Sequence, residues 1–582
     1  IEGNKKISSR KIKKVMKTRK WWLFSFFTSS GYYESREMKK DIMNISDLYF
    51  NHGFVKAIVA EPEIALDKKK KRMTITIRID EGEQYRISSV GVRGNSVFDD
   101  KTLRKKLTLS SGDLFRKNLL EEDIRAISSL YSEDGYALVS VTPDLTTDDQ
   151  NGTVKVILNI EEGDRYRIGR IEVSGNTRTR DKVIRREIRL DEGDIYDSSK
   201  LKRSYERINN LNFFDTVEMV PKPEYDEKVV NLDIKVKERP TGFLSVGGGY
   251  SSVDKFVATI DFTQGNLFGK GQYLKLKGEF GSKSSLYEVS FRDPWLFDKP
   301  ISFSTGIYKT SREYINYNKE AFGCYAGVGK SLTEYWSTNL SYKFEKATIS
   351  LDASVDDCIT ECVTDPDPEC EASCISKLIS EQEGTNTTSS ISPSITRDTR
   401  DNYLDPSTGS RNSLNITFAG LGGTNAFIKG LIDSAWYFPL GKTTFMVRGR
   451  FGYASGLFNK KLPLYERFYV GGMYSVRGLG YGEAGPRDEE TDEILGGTEE
   501  LIFNTEYIFP LIEGARLKGL VFFDAGNSYE KFNNIGNLRY TTGAGLRWIS
   551  PIGPIRIEWG YNLDSKPGES SSKFEFAFGS FF

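Results

Sequence analysis

The sequence predicts an array of small α+β domains followed by an all-β, sixteen-stranded antiparallel transmembrane β-barrel. Two observations lead to this prediction. The first 239 residues repeat one pattern of helix and strand signals at a fixed interval, which is typical of tandem copies of a small domain. The remaining residues show segments of about ten residues that alternate between polar and apolar side chains, which is the pattern of an outer-membrane barrel.

The repeat is clearest in two copies of one motif. Residues 82–95 read Gly-Glu-Gln-Tyr-Arg-Ile-Ser-Ser-Val-Gly-Val-Arg-Gly-Asn, and residues 163–176 read Gly-Asp-Arg-Tyr-Arg-Ile-Gly-Arg-Ile-Glu-Val-Ser-Gly-Asn. The second copy therefore begins 81 residues after the first. An earlier copy is marked by the Gly3-Asn4 turn and by Asp41-Ile42, which corresponds to Asp123-Ile124.

Each copy is predicted to form a strand, a Gly-Asn turn, two helices and two further strands. In the second copy the helices are predicted over residues 101–107 and 119–131, and the strands over 138–141 and 154–160. We predict three domains at residues 1–82, 83–162 and 163–239, and the barrel at residues 240–582. The first domain lacks an opening strand, so we expect it to be truncated at its N-terminus.

The barrel prediction depends on the number of alternating segments. In residues 274–280, leucine and phenylalanine alternate with lysine and glutamate, and similar alternation recurs in residues 445–451 and 555–561. One such strand could belong to a soluble sandwich that buries its apolar face. However, we count sixteen candidate strands, an even number, and no helix that could cover so large an apolar surface.

The last segment of the chain carries an aromatic ladder. Phenylalanines share one face of this predicted strand: Phe574, Phe576, Phe578 and Phe582. The opposite face carries a glutamate, an alanine and a glycine, because successive side chains of a strand point to opposite sides. A buried strand of a soluble sheet could show the same pattern, but in a barrel this ladder would face lipid.

Composition excludes several other classes of protein. The mean hydropathy is −0.45, and 81 basic residues balance 81 acidic ones, so we expect no nucleic-acid partner. The one histidine, His52, precedes a glycine at a predicted helix end, where a capping role is more common than catalysis. No phosphate-binding loop is evident, and we predict no enzyme, nucleotide, cofactor or bound metal.

The loops are predicted to be asymmetric. If the first barrel strand runs outward, the connections from odd to even strands are extracellular. The two long loops, at about residues 351–384 and 456–496, then lie on that side, and the short turns lie on the other.

These features together resemble the outer-membrane assembly factors of the BamA type. In that family, polypeptide-transport-associated (POTRA) domains precede a sixteen-stranded barrel of the surface-antigen type. The most specific motif is Val476-Arg477-Gly478-Leu479, in the second long loop. The resemblance implies that its tip folds back into the barrel, where the arginine contacts acidic residues of the inner wall. The matching acidic positions are Glu506 and Asp524, and strand parity places both on the inner face.

The resemblance also implies a function and a location. It implies a protein that inserts β-barrel proteins into the outer membrane of a Gram-negative bacterium, with its POTRA domains in the periplasm. The implied partners are unfolded outer-membrane barrel clients, periplasmic chaperones, accessory outer-membrane lipoproteins and the lipid bilayer. Residues 19–22, Arg-Lys-Trp-Trp, resemble the third of five POTRA domains.

Three alternatives to this function remain open at this stage. A TamA-type translocation and assembly factor also has three POTRA domains. Transporters of two-partner secretion have two such domains and a plug helix, which is not visible here. A passive pore or a receptor would have a barrel but no need of repeated domains in front of it.

The family mechanism implies a lateral seam between the first and last barrel strands, at which a client strand is templated. The residues assigned to this seam are Gly242, Phe243, Leu244, Gly247, Gly248, Gly249, Phe574, Phe576, Phe578, Gly579 and Phe582. Glycine weakens a strand because it adds chain entropy and removes side-chain packing. We therefore predict a weak seam that opens toward lipid, although close packing or a bulge could also explain the glycines.

Four cysteines lie in the first long loop with the spacing C-x₃-C-x₇-C-x₃-C: Cys358, Cys362, Cys370 and Cys374. Two nested disulfides, joining the outer pair and the inner pair, would clamp a helical hairpin, and a Cys₄ zinc site is the alternative. An oxidising location favours the disulfides. The fifth cysteine, Cys324, is predicted to be an ordinary strand residue.

Overall fold

A computed structural model describes most of the chain as two compact units. The described residues are 1–20, 31–67, 72–251, 255–314, 317–351, 375–402, 405–512, 514, 516–531, 537–550 and 553–578. The first unit is Ile1–Arg239 and the second is Pro240–Phe582. The predicted change from a mixed α+β array to an all-β barrel is therefore present in the structure.

The first unit contains the repeated helices and strands. Its helices are α1 (Ser9–Val15), α2 (Ser35–Phe50), α3 (Asp100–Arg104), α4 (Lys117–Glu133), α5 (Asp181–Arg185) and α6 (Ser198–Asn210). Its strands are β1 (Ile58–Val59), β2 (Glu63–Asp67), β3 (Arg72–Thr76), β4 (Ile79–Asp80), β5 (Arg86–Arg93), β6 (Ser140–Asp148), β7 (Thr153–Glu161), β8 (Arg167–Ser174), β9 (Phe214–Glu224) and β10 (Val229–Glu238).

The second and third repeats each form a three-stranded sheet with the last strand in the centre. β7 lies between β5, which is parallel to it, and β6, which is antiparallel. β10 lies between β8 and β9 in the same way. In the second repeat, Ile127 and Tyr131 of α4 pack with Val156 and Leu158 of β7 in one buried core. In the first repeat the strands form the two-stranded pairs β1–β4 and β2–β3.

The outer strand of the second sheet is longer than the sequence pattern indicated. We predicted a strand over residues 138–141, whereas β6 continues to Asp148. Residues 142–148 are mostly exposed and include Pro143, so they lack the alternation that marks a half-buried strand. Backbone pairing with β7 extends the strand where side-chain burial gives no signal.

The Gly-Asn turns are the same structure in all three repeats. Gly3, Gly94 and Gly175 have φ angles of 84°, 87° and 88°. A Cβ at these glycines would lie 2.0 to 2.2 Å from a carbonyl oxygen of the neighbouring strand. Both the backbone conformation and the close approach therefore require glycine.

A glutamate carboxylate secures each of these turns. Glu162 accepts the backbone N–H of Ser96 and the hydroxyl of Tyr131, each at 2.7 Å. Glu81 and Glu238 accept backbone N–H groups of the corresponding turns. Each repeat thus uses the end of its last strand to hold the start of its helical segment.

The repeats are joined by an equivalent hydrogen bond at each junction. The N–H of Tyr85 donates to the carbonyl of Gly53, and the N–H of Tyr166 donates to the carbonyl of Gly135, both at 2.8 Å. His52 lies beside the first junction, where its Nδ1 is 2.8 Å from the Leu48 carbonyl oxygen. This contact places the histidine at the end of α2.

The second unit is a closed antiparallel barrel of sixteen strands, as the sequence predicted. In order, they are β11 (Gly242–Ser251), β12 (Lys255–Leu267), β13 (Gln272–Gly281), β14 (Ser284–Asp293), β15 (Ser302–Glu313), β16 (Tyr317–Ser331), β17 (Trp336–Leu351), β18 (Gly384–Asp398), β19 (Gly409–Gly423), β20 (Phe427–Leu440), β21 (Thr443–Gly456), β22 (Glu499–Ile512), β23 (Leu517–Tyr529), β24 (Arg539–Ser550), β25 (Gly553–Asn562) and β26 (Ser572–Phe578).

The barrel presents apolar side chains outward and polar side chains inward. On β13, Leu276 and Phe280 are 42% and 44% exposed, whereas Lys277 and Glu279 on the opposite face form an ion pair at 2.9 Å. This arrangement reverses that of a soluble protein and suits a surface that faces lipid. None of the helices in the described ranges is both long and apolar enough to cross a membrane.

The longest connections follow β17 and β21. The first contains the short helix α7 (Lys377–Ser380), and most of its preceding residues, including the four loop cysteines, lie outside the described residues. The second runs from Gly456 to Glu499 and contains a 3₁₀ turn at Leu464–Glu466. Another 3₁₀ turn, Leu296–Asp298, follows β14.

Candidate functional site: the loop motif and the barrel seam

The loop between β21 and β22 packs against the inner wall of the barrel. Val470, Val476, Leu479 and Ala484 of this loop form a buried apolar cluster with Ile502 of β22. A loop in solvent would not bury these side chains. The apolar positions of the Val-Arg-Gly-Leu motif therefore attach the loop to the wall.

Arg477 contacts three carboxylates and one aromatic ring. Its side chain forms a two-bond fork with Asp524, with Nε–Oδ2 and Nη2–Oδ1 distances of 2.7 Å. Its Nη1 donates to Glu506 at 2.6 Å and to Glu558 at 2.9 Å. The guanidinium also lies 3.7 Å from the ring centroid of Phe522, within range of a cation–π interaction. The structure thus brings Arg477 together with both acidic residues that the sequence indicated.

The charges around Arg477 are balanced by two further arginines. Arg547 donates to Glu506 at 2.7 and 2.8 Å and to Glu558 at 2.9 Å. Arg556 donates to Glu558 at 3.1 Å. Three arginines, at 477, 547 and 556, therefore pair with three carboxylates, those of Glu506, Asp524 and Glu558. Such balance is required because a buried charge without a partner costs several kcal/mol, of the order of 3–5.

Glycines allow the motif tip to approach the wall at backbone distance. Gly478 has a φ of 91°, a conformation that side chains disfavour. A Cβ on Gly560 of β25 would lie 2.6 Å from the Cα and the nitrogen of Gly478. The tip therefore sits directly against β25, and neither glycine can be enlarged without displacing backbone.

Strands β22 and β26 also hold the motif tip through polar contacts. The Asn504 side chain on β22 donates to the Ser475 carbonyl at 2.7 Å. The N–H of Gly478 donates to Glu575 of β26 at 3.3 Å. The motif is thereby connected to strands β22, β23, β25 and β26, and β26 is the last strand of the barrel.

The same loop has a second attachment at its beginning. The Asn425 amide donates to the Tyr465 hydroxyl at 2.9 Å, and the Lys319 ammonium lies 3.8 Å from the centroid of the Tyr465 ring. Lys429 of β20 donates to the carbonyl of Glu466 at 2.8 Å. The loop is therefore held by β16 and β20 as well as by the strands near the end of the chain.

The base of the cysteine-containing loop is attached to this loop. The backbone N–H of Ser376 donates to Glu493 at 2.7 Å, and its hydroxyl donates to Asp488 at 2.6 Å. The Ser376 hydroxyl bond is the main reason why the pKa of Asp488 lies below its usual range. The described end of the first long loop is thus hydrogen-bonded to the second.

The first and last strands meet over a short register. β26 pairs with β25 at seven positions, whereas the described residues of β26 pair with β11 at two: Tyr250 opposite Phe578, and Ser251 opposite Ala577. On its other edge, β11 pairs with β12 at ten positions. The junction between β11 and β26 is therefore the shortest pairing in the described barrel.

The predicted seam residues lie on these two strands, except that Gly579 and Phe582 are outside the described residues. Phe243 and Leu244 of β11 are 68% and 62% exposed, and Phe574 of β26 is 72% exposed. Phe576 and Phe578 share the outward face with Phe574, but Phe578 alone of the three pairs with β11.

The backbone conformation does not require glycine at the seam positions. Gly247, Gly248 and Gly249 do not have positive φ angles. A Cβ at Gly248 would make an ordinary contact of 3.6 Å with a carbonyl oxygen, whereas one at Gly247 would lie 3.0 Å from the Thr259 hydroxyl. A Cβ at Gly242 would likewise lie 3.0 Å from the Gln264 side chain. Close packing therefore explains some of these glycines and does not explain Gly248.

Three members of the charge network were not identified from the sequence: Arg547, Arg556 and Glu558. The alternation in residues 555–561 placed Arg556 and Glu558 on the inner face, so this signal could have found them. It could not show that they lie beside Arg477, because that proximity depends on where the loop docks.

No group of three potential metal ligands occurs among the residues that the structure describes. The predicted disulfide or zinc-binding cysteines, Cys358, Cys362, Cys370 and Cys374, lie outside those residues. Cys324 is described, and it is a free, exposed residue of β16.

Two family models match the chain. A model described as the Omp85 superfamily domain matches residues 266–582. A model described as the surface antigen variable number repeat, or POTRA, matches residues 1–82, 85–163 and 166–239.

Curated relatives match over the whole chain. The outer membrane protein assembly factor BamA of Nitratidesulfovibrio vulgaris is 31% identical, with 100% of this chain and 72% of the relative covered. The protein of the same name from Neisseria meningitidis is 28% identical, with 100% and 77% covered. Among solved structures, BamA from Haemophilus ducreyi lacking POTRA domains 1–3 aligns with a TM-score of 0.63 and 22% identity, covering 85% of this chain and 99% of that one. The last similarity is one of fold.

Proposed function

Because the chain belongs to the Omp85 superfamily and, within it, to the family of the outer-membrane assembly factor BamA, we propose that it folds and inserts β-barrel proteins into the outer membrane. Its barrel lies in that membrane and its POTRA domains lie in the periplasm. Its clients are unfolded outer-membrane proteins, and the bilayer receives them. The short register between β11 and β26 is the structural observation that best supports this function.

The free energy of insertion comes from the client. A client strand in lipid must satisfy its backbone hydrogen bonds within a closed barrel, and it gains by burying its apolar face. An insertase therefore needs to lower the barrier and has no need to make or break a covalent bond. Insertion of this kind therefore needs no catalytic residue and no nucleotide.

The seam would lower the barrier by offering a strand edge. An unpaired edge presents a row of N–H and C=O groups that recruits another strand. The part of β11 before Tyr250 has no partner on that edge among the described residues. We infer that a client strand pairs with this edge while its apolar side chains enter the lipid beside Leu244 and Phe574.

The loop motif would keep the barrel wall in register while the seam opens. Arg477 connects β22, β23 and β25 through Glu506, Asp524 and Glu558, so these strands are fastened together on their inner face. A firm wall on this side allows β26 to separate from β11 without collapse of the barrel.

The array would hold clients and accessory proteins before insertion. β6 and β9 are edge strands of their sheets, and each carries an exposed apolar side chain, Leu145 and Val220. Strand addition at such edges reads backbone more than sequence, which suits many different clients. Periplasmic chaperones and outer-membrane lipoproteins are the accessory partners that we propose.

The proposed function can be tested by reconstitution. The full chain and a chain limited to residues 240–582 would be placed in separate liposomes, and a urea-unfolded barrel client with its periplasmic chaperone would be added. Client folding would be followed by its heat-dependent gel mobility. We expect faster folding with the full chain than with the barrel alone or with empty liposomes. Equal rates in all three preparations, together with ion conductance, would point to a passive pore.

The seam can be tested by a reversible crosslink. Positions 251 and 577 are register partners on β11 and β26, so the double variant Ser251→Cys, Ala577→Cys places one cysteine on each strand of the seam. Oxidation of the double variant should stop insertion, and reduction should restore it. The two single variants carry the same native cysteines and are the matched controls. Full activity of the oxidised double variant would exclude the seam as the insertion site.

A further inference from the structure

Glu575 lies on the inner face of β26 in an environment that does not compensate its charge. Its side chain is 1% exposed. One carboxylate oxygen accepts the N–H of Gly478 at 3.3 Å. The other oxygen, Oε2, has no hydrogen-bond partner in the described part of the chain.

The neighbouring carboxylate on β25 shows how different this environment is. Glu558 stands directly opposite Glu575 in the strand register. Glu558 receives hydrogen bonds from three arginines, Arg477, Arg547 and Arg556. No cation is recorded within ion-pair distance of Glu575 among the described residues, and like charges opposite each other on neighbouring strands are destabilising.

The contacts of the motif tip hold it in place beside Glu575. The fork with Asp524 fixes Arg477. The backbone of the next residue, Gly478, lies against that of Gly560. While the carboxylate is ionised, relief must therefore come from movement of β26, which would return the carboxylate to water. A buried polar group that lacks partners loses the hydration that it would have when exposed, so its burial favours that movement.

We propose that Glu575 is a positioning residue that weakens the closed seam: its uncompensated burial against the loop tip biases β26 toward release, so that β11 can accept a client strand. This inference rests on the proposed insertase function, because release of β26 serves insertion. The Glu575 side chain thereby sets how readily the seam opens.

The test compares two isosteric substitutions at register partners. Glu575→Gln removes the charge and keeps the size and the acceptor that faces Gly478. Glu558→Gln makes the same chemical change where three arginines depend on the carboxylate. Hydrogen exchange of the β26 amides would be measured by mass spectrometry on the full chain in liposomes at pH 8, without client. Insertion of an unfolded barrel client would be measured in parallel.

We expect Glu575→Gln to slow both the exchange of β26 and the insertion of client by roughly tenfold, because the closed state loses an uncompensated buried charge. We expect Glu558→Gln to accelerate exchange. Unchanged or faster exchange in Glu575→Gln would overturn the inference, as would failure of this variant to fold, because in none of these cases does the carboxylate weaken the closed seam. If wild-type protein inserts no client while Glu575→Gln still slows exchange, the insertase function fails and the effect on the seam stands.

Discussion

Replacement of Arg477 by alanine would remove the centre of the contacts between the loop and the barrel wall. The change deletes the fork to Asp524 and the single bonds to Glu506 and Glu558. Glu506 and Glu558 would keep Arg547, and Glu558 would also keep Arg556. Asp524 has no other cation among the described residues, so it is the group that would be left as a buried, unpaired charge.

The free-energy cost of Arg477→Ala depends on which of the three carboxylates keep a cation. Removing one partner of a buried ion pair costs about 3–5 kcal/mol. The lower end applies here, because two of the three carboxylates keep an arginine. A loss of about 3 kcal/mol corresponds to a change of roughly 10²-fold in the equilibrium between the docked and undocked loop.

Limited proteolysis can measure this equilibrium. Arg487 lies in the same loop, and its side chain is 32% exposed. When loop opening is fast relative to cleavage, the cleavage rate follows the population of the open form. We therefore expect trypsin to cleave after Arg487 roughly 10²-fold faster in Arg477→Ala than in the wild-type protein.

Two further variants separate the loss of the two-bond fork from the effect of the unpaired Asp524 charge. Arg477→Lys keeps the charge but loses the fork, so its cleavage rate should lie between those of the wild-type and alanine proteins. Adding Asp524→Asn to Arg477→Ala removes the stranded charge and should restore part of the protection. Wild-type protection of Arg477→Ala would refute the view that the arginine holds the loop.

Three other predictions follow from the structure. Gly560→Ala places a Cβ against the backbone of the motif tip and should also increase cleavage of the loop, whereas Gly430→Ala, which has open space around it, should not. Phe523→Arg, on the lipid-facing side of β23, should destabilise the barrel in vesicles by about 2–4 kcal/mol if it lies near the bilayer midplane, whereas Phe523→Leu should be tolerated in the same refolding assay. Burial alone would raise the pKa of Glu162, but hydrogen bonds from a serine, backbone amides and a tyrosine lower it to about 2 from an ordinary value of 4.5. Its stabilising contribution should therefore be complete above pH 4.5 and be lost as the pH falls toward 2; urea unfolding of residues 1–239 should show this loss in wild type and not in Glu162→Gln.

The fold could be predicted from the sequence because both of its signals are local. The repeats share a glycine that must adopt a positive φ, so Gly94 and Gly175 are visible in the sequence wherever the turn occurs. The barrel strands alternate because lipid and lumen lie on opposite faces, and Phe574 and Glu575 show this alternation in adjacent residues. Residues 142–148 gave no such signal, and their strand was missed, because backbone pairing defines it.

The candidate site could be predicted only in part. The motif identified Arg477, and parity placed Glu506 and Asp524 on the inner face, since each of these inferences needs no more than the residue and its neighbours. The convergence of Arg547 and Glu558 on Arg477, and the isolation of Glu575 at the end of the chain, depend on distances between strands and a loop that are far apart in sequence. Only the tertiary structure decides these contacts, because whether a charge is compensated depends on every group that packing brings around it.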